Sequence, residues 1–307
     1  MVKSKILKIF KLTIILLSFW FIGEKFWEHH NWLRTSALNY ELLITIFICS
    51  IIYGLSEFLL SFAWRRLLKI CGHKDISANI CNEIYGKSQI AKYIPGNVFH
   101  VVGRHILGSQ AGIKNTVLVG ATIYEILGLI SISVLIGFSG MIMFGLSNIY
   151  FSLYQIILIL FSTIVITSLI TALAAYLMRL RGIILTYRGI WNTVINISKV
   201  YGFYLIFFLI AGLLLVIIVN LFLDININIT AKLVVIFSIA WLAGFIIPGA
   251  PGGIGVREAV IIFFITPIIG EAQSVAIAIA LRFVTLLGDV WFLMISNKKF
   301  YLIDQSN

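Results

Sequence analysis

The sequence predicts an all-α fold: a polytopic membrane helical bundle with two broken re-entrant helix pairs and an inverted-topology internal repeat. Three observations predict it. Of 307 residues, 61% are hydrophobic and only 11% charged, with a mean hydropathy of +1.06. A soluble domain carries about 25% charged residues, so lipid must be the solvent for most of the exterior. Apolar runs of bilayer-spanning length recur along the whole chain, which excludes a large soluble helical core. Finally, the formal charge of +11 comes in short basic bursts beside those runs. That distribution suits membrane orientation and anionic lipid rather than nucleic acid.

Taken in order, the first element follows Lys3, Lys5, Lys8 and Lys11 and spans Ile6–Ile22. No small-x-small cleavage site follows in Phe21–Trp27, so it reads as a retained span rather than a leader. Further spans are predicted at Tyr40–Phe62, Thr116–Phe138, Phe151–Leu177, Val200–Phe222 and Ser274–Ile295. Two more apolar regions, Asn79–Gly108 and Thr230–Gly270, are interrupted by proline and glycine.

Orientation comes from the basic residues. The lysine-rich start, Arg65, Arg66, Lys69 and Lys74, then Arg179, Arg181, Arg188 and Lys199, and finally Lys298 and Lys299 are expected in the cytoplasm. Both termini are therefore cytoplasmic in a cytoplasmic (inner) membrane. The loop Ser139–Tyr150 carries no charge, Leu223–Asn228 carries only Asp224, and Glu24–Asn39 is balanced; all three suit the outside. Under that assignment Asn79–Gly108 enters and leaves from the cytoplasmic side, and Thr230–Gly270 from the external side. Two re-entrant pairs facing each other through the bilayer are the simplest solution; a pair of short full spans is the alternative for the second region.

The two interrupted regions share a pattern. Ile94-Pro95-Gly96-Asn97 leads to Gly103-Arg104, and Ile247-Pro248-Gly249 leads to Gly255-Val256-Arg257. In both, the arginine falls nine positions after the proline, at a spacing of 153 residues between the copies. A single transmembrane domain, 1–307, then divides into inverted halves, 1–150 and 151–307. Interrupted segments at matching positions of inverted halves mark binding sites in secondary transporters.

Pro95, Pro248 and Pro251 break helices because proline lacks an N–H and restricts the residue before it. After each break a new helix exposes free N–H groups, and Gly96, Asn97, Gly252, Gly253 and Gly255 let backbone approach an anion there. Arg104 and Arg257 add forked donors suited to phosphate or carboxylate, Lys92 can reach a headgroup from the cytoplasmic leaflet, and Glu258 follows Arg257. Close helix packing with snorkelling arginines accounts for the same residues.

Other ionisable residues, Glu57, Glu125, Arg282 and Asp289, lie within spans, where they are costly and face the bundle interior. They are candidates for gating or ion pairing; Arg282 and Asp289, seven residues apart, each need a partner from another helix. Glu125 is the leading proton-coupled or gating carboxylate. Cys49, Cys71 and Cys81 lack metal or disulfide spacing, His100 and His105 lack metal partners, and no esterase, zinc-protease, Walker or dinucleotide motif occurs. No cofactor and no metal are expected.

Pro251-Gly252-Gly253-Ile254-Gly255-Val256-Arg257-Glu258 resembles a signature of the lysylphosphatidylglycerol synthase transmembrane-region family, flippase-like integral membrane proteins. Ala91-Lys92-Tyr93-Ile94-Pro95-Gly96, followed by Gly103-Arg104, resembles that family's first conserved region. The resemblance covers nearly the whole chain and carries over to Pro95, Gly96, Arg104, Pro251, Gly252, Gly253, Gly255, Arg257 and Glu258. It implies a lipid translocase that moves or presents an anionic phospholipid or a polyprenyl-phosphate lipid, with envelope-biosynthesis enzymes as partners. Only Asn297–Asn307 follows the last predicted span, so aminoacyl transfer is not expected. A membrane-embedded enzyme acting on lipid-linked substrates, or a non-transporting subunit of an envelope-assembly complex, are the rival readings.

Overall fold

The computed structural model describes Glu24, Trp27, Glu28 and residues 40–73, 76–94, 99–144, 187–247 and 250–297. In chain order these form α1 (Tyr40–Ile70), α2 (Ala78–Gln89), a first 3-10 turn (Ile90–Tyr93), α3 (Phe99–Gln110) and α4 (Asn115–Phe144). Then come α5 (Tyr187–Val219), α6 (Ile227–Ile246), a second 3-10 turn (Pro251–Gly253), α7 (Val256–Ile269) and α8 (Glu271–Asn297). No strand occurs among the described residues. The predicted spans Ile6–Ile22 and Phe151–Leu177 lie outside them.

Among the described residues six helices are long and apolar enough to cross a membrane: Tyr40–Ile70, Asn115–Gly140, Ile195–Val219, Ile227–Ile246, Pro251–Ile269 and Glu271–Asn297. The protein is an all-α polytopic membrane bundle. Its outer faces carry large apolar side chains: Leu43, Ile44, Phe47 and Ile48 on α1 are each more than half exposed, which suits lipid contact. Charged groups turn inward instead, with Glu57, Arg104, Glu125, Glu258 and Asp289 all buried.

The helices outrun their apolar runs. α1 continues past Phe62 through Arg65, Arg66 and Lys69, and α5 begins well before Val200. Apolar length measures only the hydrocarbon slab, whereas the helical ladder persists into the interface. There Arg66 donates to Asn196 Oδ1 at 3.2 Å and lies over the Phe203 ring, joining the ends of α1 and α5.

Limb lengths separate the two interrupted regions. α2 and α3 have 12 residues each, about 18 Å of rise, against a hydrocarbon core of about 30 Å. Neither crosses alone. In the second region the limbs Ile227–Ile246 and Pro251–Ile269 have 20 and 19 residues, enough for either form expected of them.

α1 and α8 cross on glycine. A Cβ on Gly54 would stand 2.6 Å from the Gly288 carbonyl oxygen, and one on Gly288 would stand 2.6 Å from Tyr53 and 3.0 Å from the Ser50 carbonyl. Small residues let membrane helices approach this closely, and Trp291 Nε1 donates to Ser50 Oγ at 3.1 Å beside the crossing. We expect Gly288→Val to force the pair apart and destabilise the protein by about 1–3 kcal/mol, read as a lowered Tm in detergent; an unchanged Tm would contradict this packing.

Candidate functional site

The breaks follow from the residues before proline. Ile94, ahead of Pro95, is extended at φ −73°, ψ 133°. Ile247, ahead of Pro248, stands at φ −72°, ψ 114°, and Ala250, ahead of Pro251, at φ −78°, ψ 104°. Proline's Cδ excludes the helical region for its predecessor, so each helix stops where the sequence requires. Beyond Pro251 the chain turns through Gly252 at φ +56° and Gly253 at φ +75°, conformations that glycine adopts without a Cβ clash. The break residues Pro95, Gly96, Asn97 and Pro248 lie outside the described residues.

The two breaks touch. A Cβ on Gly252 would lie 3.0 Å from the Tyr93 ring. Both breaks are fastened to α8 through the two ionisable residues singled out in its sequence. Asp289 accepts from Lys92 Nζ at 2.7 Å and from the Tyr93 hydroxyl, tying down the first break. Arg282 Nη1 donates to the Gly252 carbonyl at 3.1 Å and lies 3.5 Å from Glu258 Oε1, tying down the second. Each partner comes from another element, as their seven-residue spacing demanded. Lys92 therefore points into the bundle, with a second carboxylate, Glu57, at 3.8 Å. Glu57 on α1 also accepts from Gln89 Nε2 at 2.9 Å.

Arg104 and Arg257, equivalent by sequence pattern, stand in different surroundings. Arg104 Nη1 meets Glu125 Oε2 at 2.5 Å, its Nε reaches Ser88 Oγ at 3.3 Å, and its guanidinium lies 3.8 Å above the Tyr85 ring. Tyr85 donates to the other Glu125 oxygen at 2.6 Å. Arg257 has no carboxylate within ion-pairing distance among the described residues, and its buried Nε has no hydrogen-bond partner. Its stem lies between two glycines: a Cβ on Gly244 would stand 2.6 Å from Arg257 Cγ, and one on Gly253 would stand 2.6 Å from Nε. The Trp241 ring is 5.8 Å from its guanidinium carbon. Such a cradle holds the side chain inside the bundle, where a snorkelling arginine would leave it.

Both arginines line one cavity of about 70 Å³, together with Gln89, Lys92, His100 and Glu125. That volume admits several waters or one small anionic group. His100 Nδ1 is a second buried nitrogen of this cavity without a hydrogen-bond partner among the described residues. The cavity thus gathers Lys92, Arg104, Glu125, Gly252 and Arg257 from the sequence-predicted residues. Glu258 and Arg282 line a smaller neighbouring cavity that also meets Arg257. Glu258 Oε2 accepts from Gly255 N at 2.6 Å, so the start of α7 carries its own carboxylate. Glu57 and Asp289 sit behind Lys92. Among the described residues no three His, Cys, Asp or Glu side chains gather as a metal site.

Sequence reasoning passed over Tyr85, Ser88 and Trp241. Tyr85, Gln89 and Lys92 recur at the four- and three-residue steps of one helical face, a signal that was available. Trp241 offered no such signal within the mostly apolar stretch Leu233–Ile246.

A search of the curated proteins finds no match. The family described as "Lysylphosphatidylglycerol synthase TM region" matches residues 8–292. That match takes in α1 to α7 whole, most of α8, both breaks and every charged group of the cavity, and the chain belongs to this family of lysylphosphatidylglycerol synthase transmembrane regions.

Proposed function

We propose that the protein is a lipid translocase of the cytoplasmic membrane that passes an anionic, phosphate-bearing headgroup through the central cavity while the lipid chains stay in the bilayer. The family match and the polytopic apolar bundle support a lipid-translocase role. The observation that carries the headgroup reading is Arg257, a cradled guanidinium whose Nε has no hydrogen-bond partner among the described residues, in a cavity of mixed polar and apolar lining that the second break helps to form. A buried donor without a partner is costly unless a ligand or water completes it.

In this reading 1–150 and 151–307 are inverted halves with both termini in the cytoplasm. α2 and α3 form a re-entrant pair from the cytoplasmic side, which their length supports; α6 and α7 dip from the external side. Arg104 and Arg257 face the headgroup as the halves rock. An anionic phospholipid and a polyprenyl phosphate both satisfy this chemistry, and envelope-biosynthesis enzymes are the partners that would supply or consume such a lipid.

Leaflet-resolved translocation in proteoliposomes tests it. Purified protein should move a fluorescent anionic phospholipid between leaflets, and Arg257→Gln should slow it by about tenfold or more, the scale of one charge-assisted hydrogen bond. A rate in Arg257→Gln equal to wild type for every anionic lipid tried would remove the headgroup role of the cavity.

A further inference from the structure

One ammonium sits between two carboxylates. Lys92 Nζ stands 2.7 Å from Asp289 Oδ1 and 3.8 Å from Glu57 Oε1. Among the described residues it is the only cation within ion-pairing distance of either. Both carboxylates are fully buried. With both ionised, the trio would hold one negative charge in excess, away from water, and a buried charge without a partner is neutralised rather than tolerated.

The hydrogen bonds say which oxygen is incomplete. Asp289 is satisfied as an ion, since Oδ1 accepts from Lys92 and Oδ2 from the Tyr93 hydroxyl. Glu57 is not. Its Oε1 accepts from Gln89 at 2.9 Å, and its buried Oε2 has no hydrogen-bond partner among the described residues. The two carboxylates stand within hydrogen-bonding reach of each other. An ionised carboxylate only accepts, so that contact is repulsive unless one of the pair carries a proton. A proton on Glu57 Oε2 supplies the missing donor, and Asp289, whose oxygens each keep a second lone pair, accepts it.

The groups on the neighbouring elements leave this vacancy open. Tyr53 on α1 and Tyr85 on α2 lie in the field of Glu57, but phenols are neutral at ordinary pH. Arg257 on α7 and Arg282 on α8 act on Tyr53, yet neither pairs with Glu57 or Asp289; Arg282 is held by Glu258 and the Gly252 carbonyl. From α5, Phe207 packs on Tyr53, and the Tyr204 phenol lies on the Glu125 side. Glu125 on α4, the carboxylate that the sequence puts forward for a proton, has one oxygen on Arg104 and the other on Tyr85.

We propose that Glu57 Oε2 is a proton-binding site, that Glu57 and Asp289 hold one proton between them, and that this proton keeps the first break fastened to α8. With it, Lys92 belongs to Asp289. Without it, two buried carboxylates repel across one ammonium, and the relief open to them is water entering beside Lys92 and Tyr93, the residues that anchor the break. The second break hangs from Arg282 and is not touched by this proton. The site goes beyond the transport reading and does not depend on it; within that reading it makes the hold on one break sensitive to pH.

Infrared spectroscopy of the full chain in a maltoside detergent, which has no carbonyl, reads the proton directly. Exposed carboxylates are ionised at neutral pH, so a carboxylic-acid C=O stretch that shifts in heavy water marks a buried protonated group. Wild type should show that band and Glu57→Gln should lose it. Asp289→Asn should lose it too, because Lys92 then serves Glu57 alone. Carbon-13 labelling of wild type carries the test if the variants fail to fold: the band must shift with carboxyl-labelled glutamate and stay with labelled aspartate. No band in wild type, a band that follows aspartate, or one that survives in Glu57→Gln overturns the proton site. The break is read by thiol labelling of Ile94→Cys, with Ile254→Cys correcting for ionisation of the thiol. The ratio of the two rates should rise severalfold as the band disappears with rising pH, and should stay flat in Glu57→Gln. A wild-type ratio that stays flat while the band disappears overturns the link to the break. Neither measurement uses lipid, so a failure of translocation in proteoliposomes leaves both standing.

Discussion

Glu125→Ala is expected to destabilise the protein by about 3–5 kcal/mol, the cost of stranding one member of a buried ion pair. Arg104 and Glu125 are 4% and 5% exposed, so the abandoned guanidinium would keep only Ser88 Oγ and the Tyr85 and Trp64 rings. Tyr85 would lose its acceptor in the same stroke. The double variant Arg104→Met, Glu125→Leu removes both charges and leaves apolar groups of similar volume, which is often neutral in buried pairs. Its Tm in detergent should recover most of the loss. Because the unfolded helices remain in micelle or lipid, the absolute cost depends on partners found there; the difference between single and double variants largely cancels that term. A Glu125→Ala protein as stable as wild type would show that the pair contributes nothing. Transport separates the roles further: the double variant should still move lipid if Arg257 receives the phosphate, and should not if both arginines are needed.

The sequence made some of this legible for physical reasons. Apolar length located α1, α4, α5 and α8, since hydrocarbon thickness imposes it, and proline located the breaks, since its ring restricts the residue before it. Helix ends were not legible, because Arg65, Arg66 and Lys69 are as helical as the apolar residues they follow. That Arg282 and Asp289 need partners could be read from their spacing, but the partner of Asp289 is Lys92, 197 residues away. Only the packed bundle specifies that pair. Glu258 drew attention by following Arg257, yet consecutive helical residues do not face the same way. Its place three residues after Gly255 marked it as a group that reaches back to the helix start, and its carboxylate does so. The difference between Arg104 and Arg257 was hidden because the motif compares the arginines and ignores position 125, whose carboxylate pairs with Arg104 alone.

Asp289→Ala should have an effect of similar size through a different element. Asp289 is fully buried and holds Lys92 and Tyr93 together; without it the Lys92 ammonium keeps Glu57 at 3.8 Å, a looser contact. A loss of about 3–5 kcal/mol is expected, with Asp289→Asn falling between, since its amide oxygen still accepts from Tyr93 while the ion pair is gone. What distinguishes this from general damage is where the structure loosens. Ile94 ends the first 3-10 turn, directly after the two residues Asp289 anchors, so an Ile94→Cys reporter should be labelled faster by a thiol reagent in Asp289→Ala than in the wild-type background. An Ile254→Cys reporter at the second break should change little, because Arg282 two turns earlier on α8 still binds the Gly252 carbonyl. Equal acceleration at both reporters would mean that α8 holds the breaks as one unit. Acceleration at Ile94 alone would mean that each break hangs from its own charged residue, so that one break could loosen while the other stays fastened to α8.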